Sequence, residues 1–157
     1  MIRQSRLLHA SVVERDTKKI LGRLRSIDYT LASKDVLGLT YYKMNLLRSS
    51  VFVPVQNIDS LGDFITVRQP RIRMKRPKQR FDLDERVEAV DADGNPIGYV
   101  VDCFFEESGQ RIAALEISQG FFEDIISGRL RAGSFSQMSY ANRVIVETLA
   151  HQTERGE

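Results

Sequence analysis

The chain has no Trp, one Cys, two His and four Pro in 157 residues. Each scarcity excludes something. A single Cys cannot form an intramolecular disulfide, so no disulfide framework holds the fold. Cys103 sits in an apolar run, VVDCFF, and reads as a buried small hydrophobe rather than a reactive thiol. His9 and His151 stand 142 positions apart, with no Cys or carboxylate at metal-ligand spacing. That argues against a zinc site and against His-based catalysis. The sequence has no P-loop, no G-x-G-x-x-G and no nucleophile–base constellation. The expectation is therefore a protein that is not an enzyme and uses no cofactor or metal. No apolar run approaches the ~18 residues that cross a bilayer. The N-terminus, MIRQSRLLHASVVERD, lacks the apolar stretch of a signal peptide. A soluble, cytoplasmic chain is expected. Apolar residues make up 42% of it, enough for a real core, and 8% aromatics make that core aliphatic.

Acidic residues are missing from one segment. Residues 68–80 (RQPRIRMKRPKQR) hold seven basic residues and no acid. Residues 1–67 hold ten basic and six acidic residues, and residues 81–157 hold six basic and fifteen acidic ones. The formal net charge of +2 thus conceals a basic middle and an acidic second half. Such polarity steers charged partners or lets the halves, or two copies of the chain, attract each other.

Short runs rich in β-formers, separated by turn signals, fill the rest. The first half reads as strands over residues 7–15, 20–29, 36–42 and 50–55, with a closing strand at 64–67. Pro54 lacks a ladder donor and places its strand at an edge or a strand end. Residues 57–63 read as a turn or a single helical turn. The second half restarts at 86–90, followed by the turn DADGNP, a strand over 97–105, a hairpin turn at EESGQ and a strand over 111–117. Residues 121–130 (FFEDIISGRL) fit a short helix or an irregular excursion. Residues 134–142 are turn-rich, and 143–148 close the half. The tail from residue 150 is polar and reads as frayed.

The halves superpose by a shift of 76 residues: Gly22 falls on Gly98, Leu24 on Val100, Leu39 on Leu115 and Tyr41 on Ile117. Three extra residues later in the second half bring Val67 onto Val146. One spacing across two strands and a loop reads as an internal duplication of a β-module. The expected fold is all-β, with two small barrels: residues 1–67, a basic linker over 68–80, residues 81–149, and a flexible tail over 150–157.

The second half, VDADGNPIGYVVDCFF followed by SGQRIAALEI, resembles the PRC-barrel module. That β-barrel is shared by the cytoplasmic domain of the photosynthetic reaction centre H subunit and the C-terminal domain of the ribosome maturation factor. The first half is similar through KKILGRLRSIDY, VLGLTYY and SVFVPVQNIDSLGDFITV. It departs in lacking Asp-Gly, in carrying Ser26 where the second half has Asp102, and in carrying Pro54 where the second half has Gly133. The resemblance implies two tandem PRC-barrel-like modules and a non-catalytic role as a protein-interaction adaptor, with a membrane-bound or photosynthetic complex as one class of partner. It carries over neither of those proteins' own functions; self-association, and an RNA- or ribosome-associated role in which residues 68–80 contact phosphate, stand as alternatives, with the membrane touched only peripherally.

Three stretches carry candidate chemistry. Asp91, Asp93 and Asn95 alternate as in a calcium loop, but the sixth and twelfth positions hold Pro96 and Asp102 rather than Gly and Glu, so a plain turn is the better reading. Arg68, Arg71, Arg73, Lys75, Arg76, Lys78 and Arg80 are candidates for contacts to phosphate or to an acidic partner. No aromatic residue interrupts them to stack bases. The opposing reading is a solvated linker whose charges complement the acidic second half. Phe121, Phe122, Ile125 and Ile126 are either a lid packed over the barrel end or an exposed patch for a protein partner. Both copies retain the glycine and the apolar spacing, so function is to be sought on surfaces where the copies differ.

Overall fold

The computed structural model describes residues 1–68, 74–78, 86–137 and 142–151. The chain divides into two compact units, residues 1–81 with 105–112 and residues 82–104 with 113–157.

The first unit opens with a two-residue strand, β1 (Ile2–Arg3), and one helical turn, α1 (Gln4–Leu7). Then come β2 (Ser11–Glu14), β3 (Ile20–Tyr29), β4 (Val36–Lys43) and β5 (Ser50–Pro54). A 3₁₀ turn (Val55–Asn57) leads to β6 (Ile58–Ser60) and β7 (Phe64–Val67). Residues 7–15, expected as one strand, thus divide into the end of α1 and β2, because positive φ at His9 turns the chain between them. Residues 57–63, expected as a turn or a single helical turn, contribute β6 after the 3₁₀ turn.

Six strands form one sheet in the order β5-β4-β3-β2-β7-β6. β5 is an edge, as the missing N–H of Pro54 requires. The alternation of β3 buries Gly22 and Leu24, then changes phase at a bulge between Leu24 and Ser26. Beyond the bulge Ile27, Asp28 and Tyr29 are all buried, and Asp28 lies inside the unit at 1% exposure. The core gathers Leu7, Val12, Leu24, Leu39, Val53 and Ile65, all nearly inaccessible. Residues 105–112 contribute Phe105, whose ring meets Tyr29 edge-on at 5.4 Å. Gln110 and Arg111 pair there with backbone near Asp35 and Val36.

The second unit holds β8 (Glu88–Val90), β9 (Pro96–Phe105), β10 (Ile112–Ser118), α2 (Phe121–Ser127), β11 (Leu130–Gln137) and β12 (Arg143–His151). Its strands run β9-β10-β11-β12-β8, and β8 pairs back onto β9, which closes a five-stranded barrel. β8 is antiparallel to β9 and parallel to β12. Residues 134–142, expected to be turn-rich, begin as strand: β11 runs to Gln137, paired to β12 through Phe135↔Val146. Val87, Ala89, Cys103, Leu115, Ile117, Ala132 and Val144 fill the barrel. Cys103 is fully buried, the place its apolar neighbours indicate.

Of the two barrels expected, only the second is closed; the first-half sheet stays open, with β5 and β6 at its edges. Closure of the second depends on β11 pairing with β12. In the first unit β5 ends at Pro54, the chain leaves through the 3₁₀ turn, and β6 takes the side of β7 that a closing strand would need.

The pairings inside the two sheets are otherwise alike. β2 pairs antiparallel with β3 and parallel with β7, as β8 does with β9 and β12. A bulge follows Val12↔Gly22 in one and Ala89↔Gly98 in the other. A Cβ on Gly22 would lie 1.8 Å from the Tyr42 carbonyl oxygen, and one on Gly98 would lie 2.1 Å from that of Ser118. Only Gly lets the strands approach so closely.

Candidate functional site

The helix α2 interrupts the connection from β10 to β11. Its seven residues lie between Gly120 and Gly128, both at positive φ, which let the chain leave and rejoin the sheet abruptly. The polarity of α2 is inverted. Asp124 is its only partly buried residue, while Phe121, Phe122, Ile125 and Ile126 are 67–82% exposed. They form no lid over the barrel.

The inversion has a local cause. Ser118 Oγ donates to Asp124 Oδ2 at 2.6 Å, and the Gln119 N–H donates to Oδ1 at 3.1 Å. Arg129 donates from Nε to Asp124 at 3.3 Å and from a terminal nitrogen to Glu116 at 3.1 Å. Glu116, on β10, is inaccessible to solvent. A buried carboxylate needs such partners, so the Glu116–Arg129–Asp124 chain draws the polar side of α2 inward. Burial pushes the Asp124 carboxyl up, but the hydrogen bonds from Ser118 and Gln119 and the Arg129 guanidinium outweigh it, leaving the pKa below its ordinary value. With the carboxylate turned inward, the apolar side faces water. The Phe121 and Phe122 rings touch only edge-to-face, at 5.7 Å.

The basic run does not behave as one solvated stripe. Arg71, Arg73 and Arg80 lie outside the described residues. Arg76 grips buried Asp28: Nε donates to both carboxylate oxygens at 3.0 and 2.8 Å, and a terminal nitrogen donates to Asp28 at 2.7 Å and to Ser26 Oγ at 3.0 Å. The partners in these bonds, Asp28 and Ser26, belong to the first half. Arg68 donates to the Gln56 carbonyl at 2.9 Å. Lys75 and Lys78 are exposed. A buried carboxylate docked by an arginine 48 positions away leaves no local signal in the sequence.

The DADGNP segment is a turn held by its own carboxylate. Asp91 accepts from the Asn95 side chain at 2.9 Å and from the N–H groups of Asp93 and Asn95 at 2.9 and 2.8 Å. Those bonds, that of Asn95 first, hold its pKa below the ordinary value. Glu14 does the same at the end of β2, accepting from Thr17 Oγ1 and N–H at 2.6 Å each and from the Asp16 N–H at 3.1 Å. Its pKa is also lowered, by Thr17 foremost. The shift of 76 residues does not pair Glu14 with Asp91, so the sequence gives no sign of this correspondence.

Sequence reasoning also passed over the loop between β4 and β5. There Met44, Leu46 and Leu47 are 71–105% exposed, beside Lys43 and Arg48. Leu46 and Leu47 follow one another without helical or strand periodicity, so no pattern marks them. Compared with known proteins, the chain matches no family model and no curated protein.

Proposed function

We propose that the chain is a non-enzymatic adaptor made of two copies of one PRC-barrel-like module, one closed and one open, and that α2 of the closed copy binds a protein partner. The observation that carries the reading is the inversion of α2. Four large apolar side chains face water on a helix whose carboxylate is held inward by Arg129 and Ser118. A monomeric surface rarely keeps such a cluster without a use for it. Phe is among the residues enriched at the core of protein interfaces. The two-copy reading is supported by the matched strand pairings and by the two glycines under equivalent carbonyls. A membrane-bound complex as the partner class rests on the resemblance alone.

The test is affinity capture from native cells with the wild-type chain and with Phe122→Asp/Ile126→Asp. Both positions are exposed, so the double variant should keep its circular dichroism spectrum. It should lose the captured partner, with affinity falling by roughly 30-fold or more. Capture that is equal for both proteins would refute the reading.

A further inference from the structure

The β4–β5 tip, residues 43–49, differs from α2 in charge and shape. Leu46 and Leu47 form its apex at 105% and 88% exposure, with Met44 at 71%. The backbone of the tip closes on itself: the Lys43 N–H donates to the Ser49 carbonyl at 2.9 Å and the Arg48 N–H to the Asn45 carbonyl at 3.1 Å. Asn45 Nδ2 donates to Ser49 Oγ at 3.2 Å. Arg48 holds a φ of 44°, a left-handed conformation that tightens the turn. Polar groups already bonded to each other enter an apolar phase at little penalty.

Behind the apex the charge is all of one sign. Lys43, Arg48, Arg23 and His9, with Tyr42, Met44, Asn45 and Leu46, line a shallow hollow of about 870 Å³ that contains no carboxylate. Among the described residues no carboxylate pairs with Arg23, Lys43 or Arg48; Arg23 instead donates to the His9 carbonyl at 3.1 Å. Tyr42 is 39% exposed, with the Arg25 guanidinium 5.2 Å from its ring centroid.

An apolar apex, an aromatic shoulder and a ring of unpaired cations match the layers of an anionic bilayer surface: acyl chains, interface and headgroup phosphates. Nucleic acid would use the cations but has no need of paired leucines at the apex, and Tyr42 alone offers little stacking. We propose that the β4–β5 tip docks the protein reversibly on a membrane bearing anionic phospholipid, with Leu46 and Leu47 in the outer acyl region and Lys43, Arg48 and Arg23 on headgroup phosphates.

The test is co-sedimentation of the full chain with unilamellar vesicles of phosphatidylcholine alone and with about one third phosphatidylserine. Binding is expected only to the anionic vesicles, weakening as salt rises. Leu46→Ser/Leu47→Ser should lower the partition coefficient by about tenfold or more. Lys43→Gln/Arg48→Asn removes two cations while keeping a residue that tolerates positive φ, and should lower it roughly 10- to 30-fold. Phe122→Ser/Ile126→Ser should leave it unchanged, which separates this inference from the reading of α2. The proposal is overturned by absence of binding at low salt, by binding that ignores the Leu pair, by displacement of the bound chain with single-stranded RNA at low salt, or by self-association through the tip without vesicle binding.

Discussion

At Pro54 the first unit's chain leaves its sheet; at Gly133 the second unit's chain bulges and goes on as strand. Proline lacks the N–H that a further neighbour would use, whereas Gly133 keeps its own. Continued pairing of β11 with β12 closes one barrel, and its counterpart is an open sheet. The first turns and the close glycine contacts hardly differ between the units. The loops after their second long strands differ most: one is a basic tip with two leucines, the other an inverted helix with two phenylalanines. The frame is shared and the surfaces diverge.

The largest expected effect breaks the frame. Gly98→Ala would place a Cβ 2.1 Å from a carbonyl oxygen inside a closed ring, where neither strand has a free side to move into. A loss of about 3 kcal/mol or more is expected, read as faster amide exchange across β9 and β10. Gly22→Ala meets its carbonyl at 1.8 Å, but the β4–β5 flank of the open sheet has room to shift, so a smaller loss is expected. Gly133→Ala, with no atom within 4 Å of the new Cβ, should be nearly neutral. Equal losses at Gly22 and Gly98 would remove closure as the distinguishing feature.

Next come the arginines that serve buried carboxylates. Arg76→Met removes a bidentate partner from Asp28, which is 1% exposed, and should cost about 3 kcal/mol in urea denaturation. Arg129→Met acts on Glu116 and Asp124, but its side chain is 47% exposed and better screened, so about 2 kcal/mol is expected. The Arg129 change should also loosen α2, seen as faster exchange of its amides.

The smallest effect concerns the turns. The pKa values of Asp91 and Glu14 lie below their ordinary values of 3.8 and 4.5. Each therefore stabilises its turn fully above that ordinary value, and the contribution fades as pH falls through the lowered one. Carboxyl NMR titration should place both midpoints below those ordinary values. Asp91→Asn and Glu14→Gln should lower thermal stability slightly and flatten that acid dependence. A normal midpoint at one site alone would show that the turns are not held alike.

Much of this frame was legible in the sequence. Gly22 and Gly98 at one spacing, the Asp91 turn and Pro54 at an edge are local signals, and local geometry followed them. Three features were not. Closure depends on whether β11 finds β12, which no residue of β11 states by itself. The Asp28–Arg76 pair joins residues far apart, and nothing near Asp28 in the sequence names its partner. The spacing of Phe121, Phe122, Ile125 and Ile126 is the same for a helix facing in or out. The deciding residue is Asp124, whose partners Ser118 and Arg129 lie outside the helix.

The central claim is that the divergent loops, not the shared barrel wall, meet other molecules. Its most direct test is a photo-crosslinking residue placed at Phe122 in native cells, compared with one at Tyr99 on β9, itself 38% exposed. The prediction is a discrete adduct with one protein from position 122, lost when Ile126 is changed to Asp, and none from position 99. No adduct at 122, or the same adduct from both positions, would contradict it.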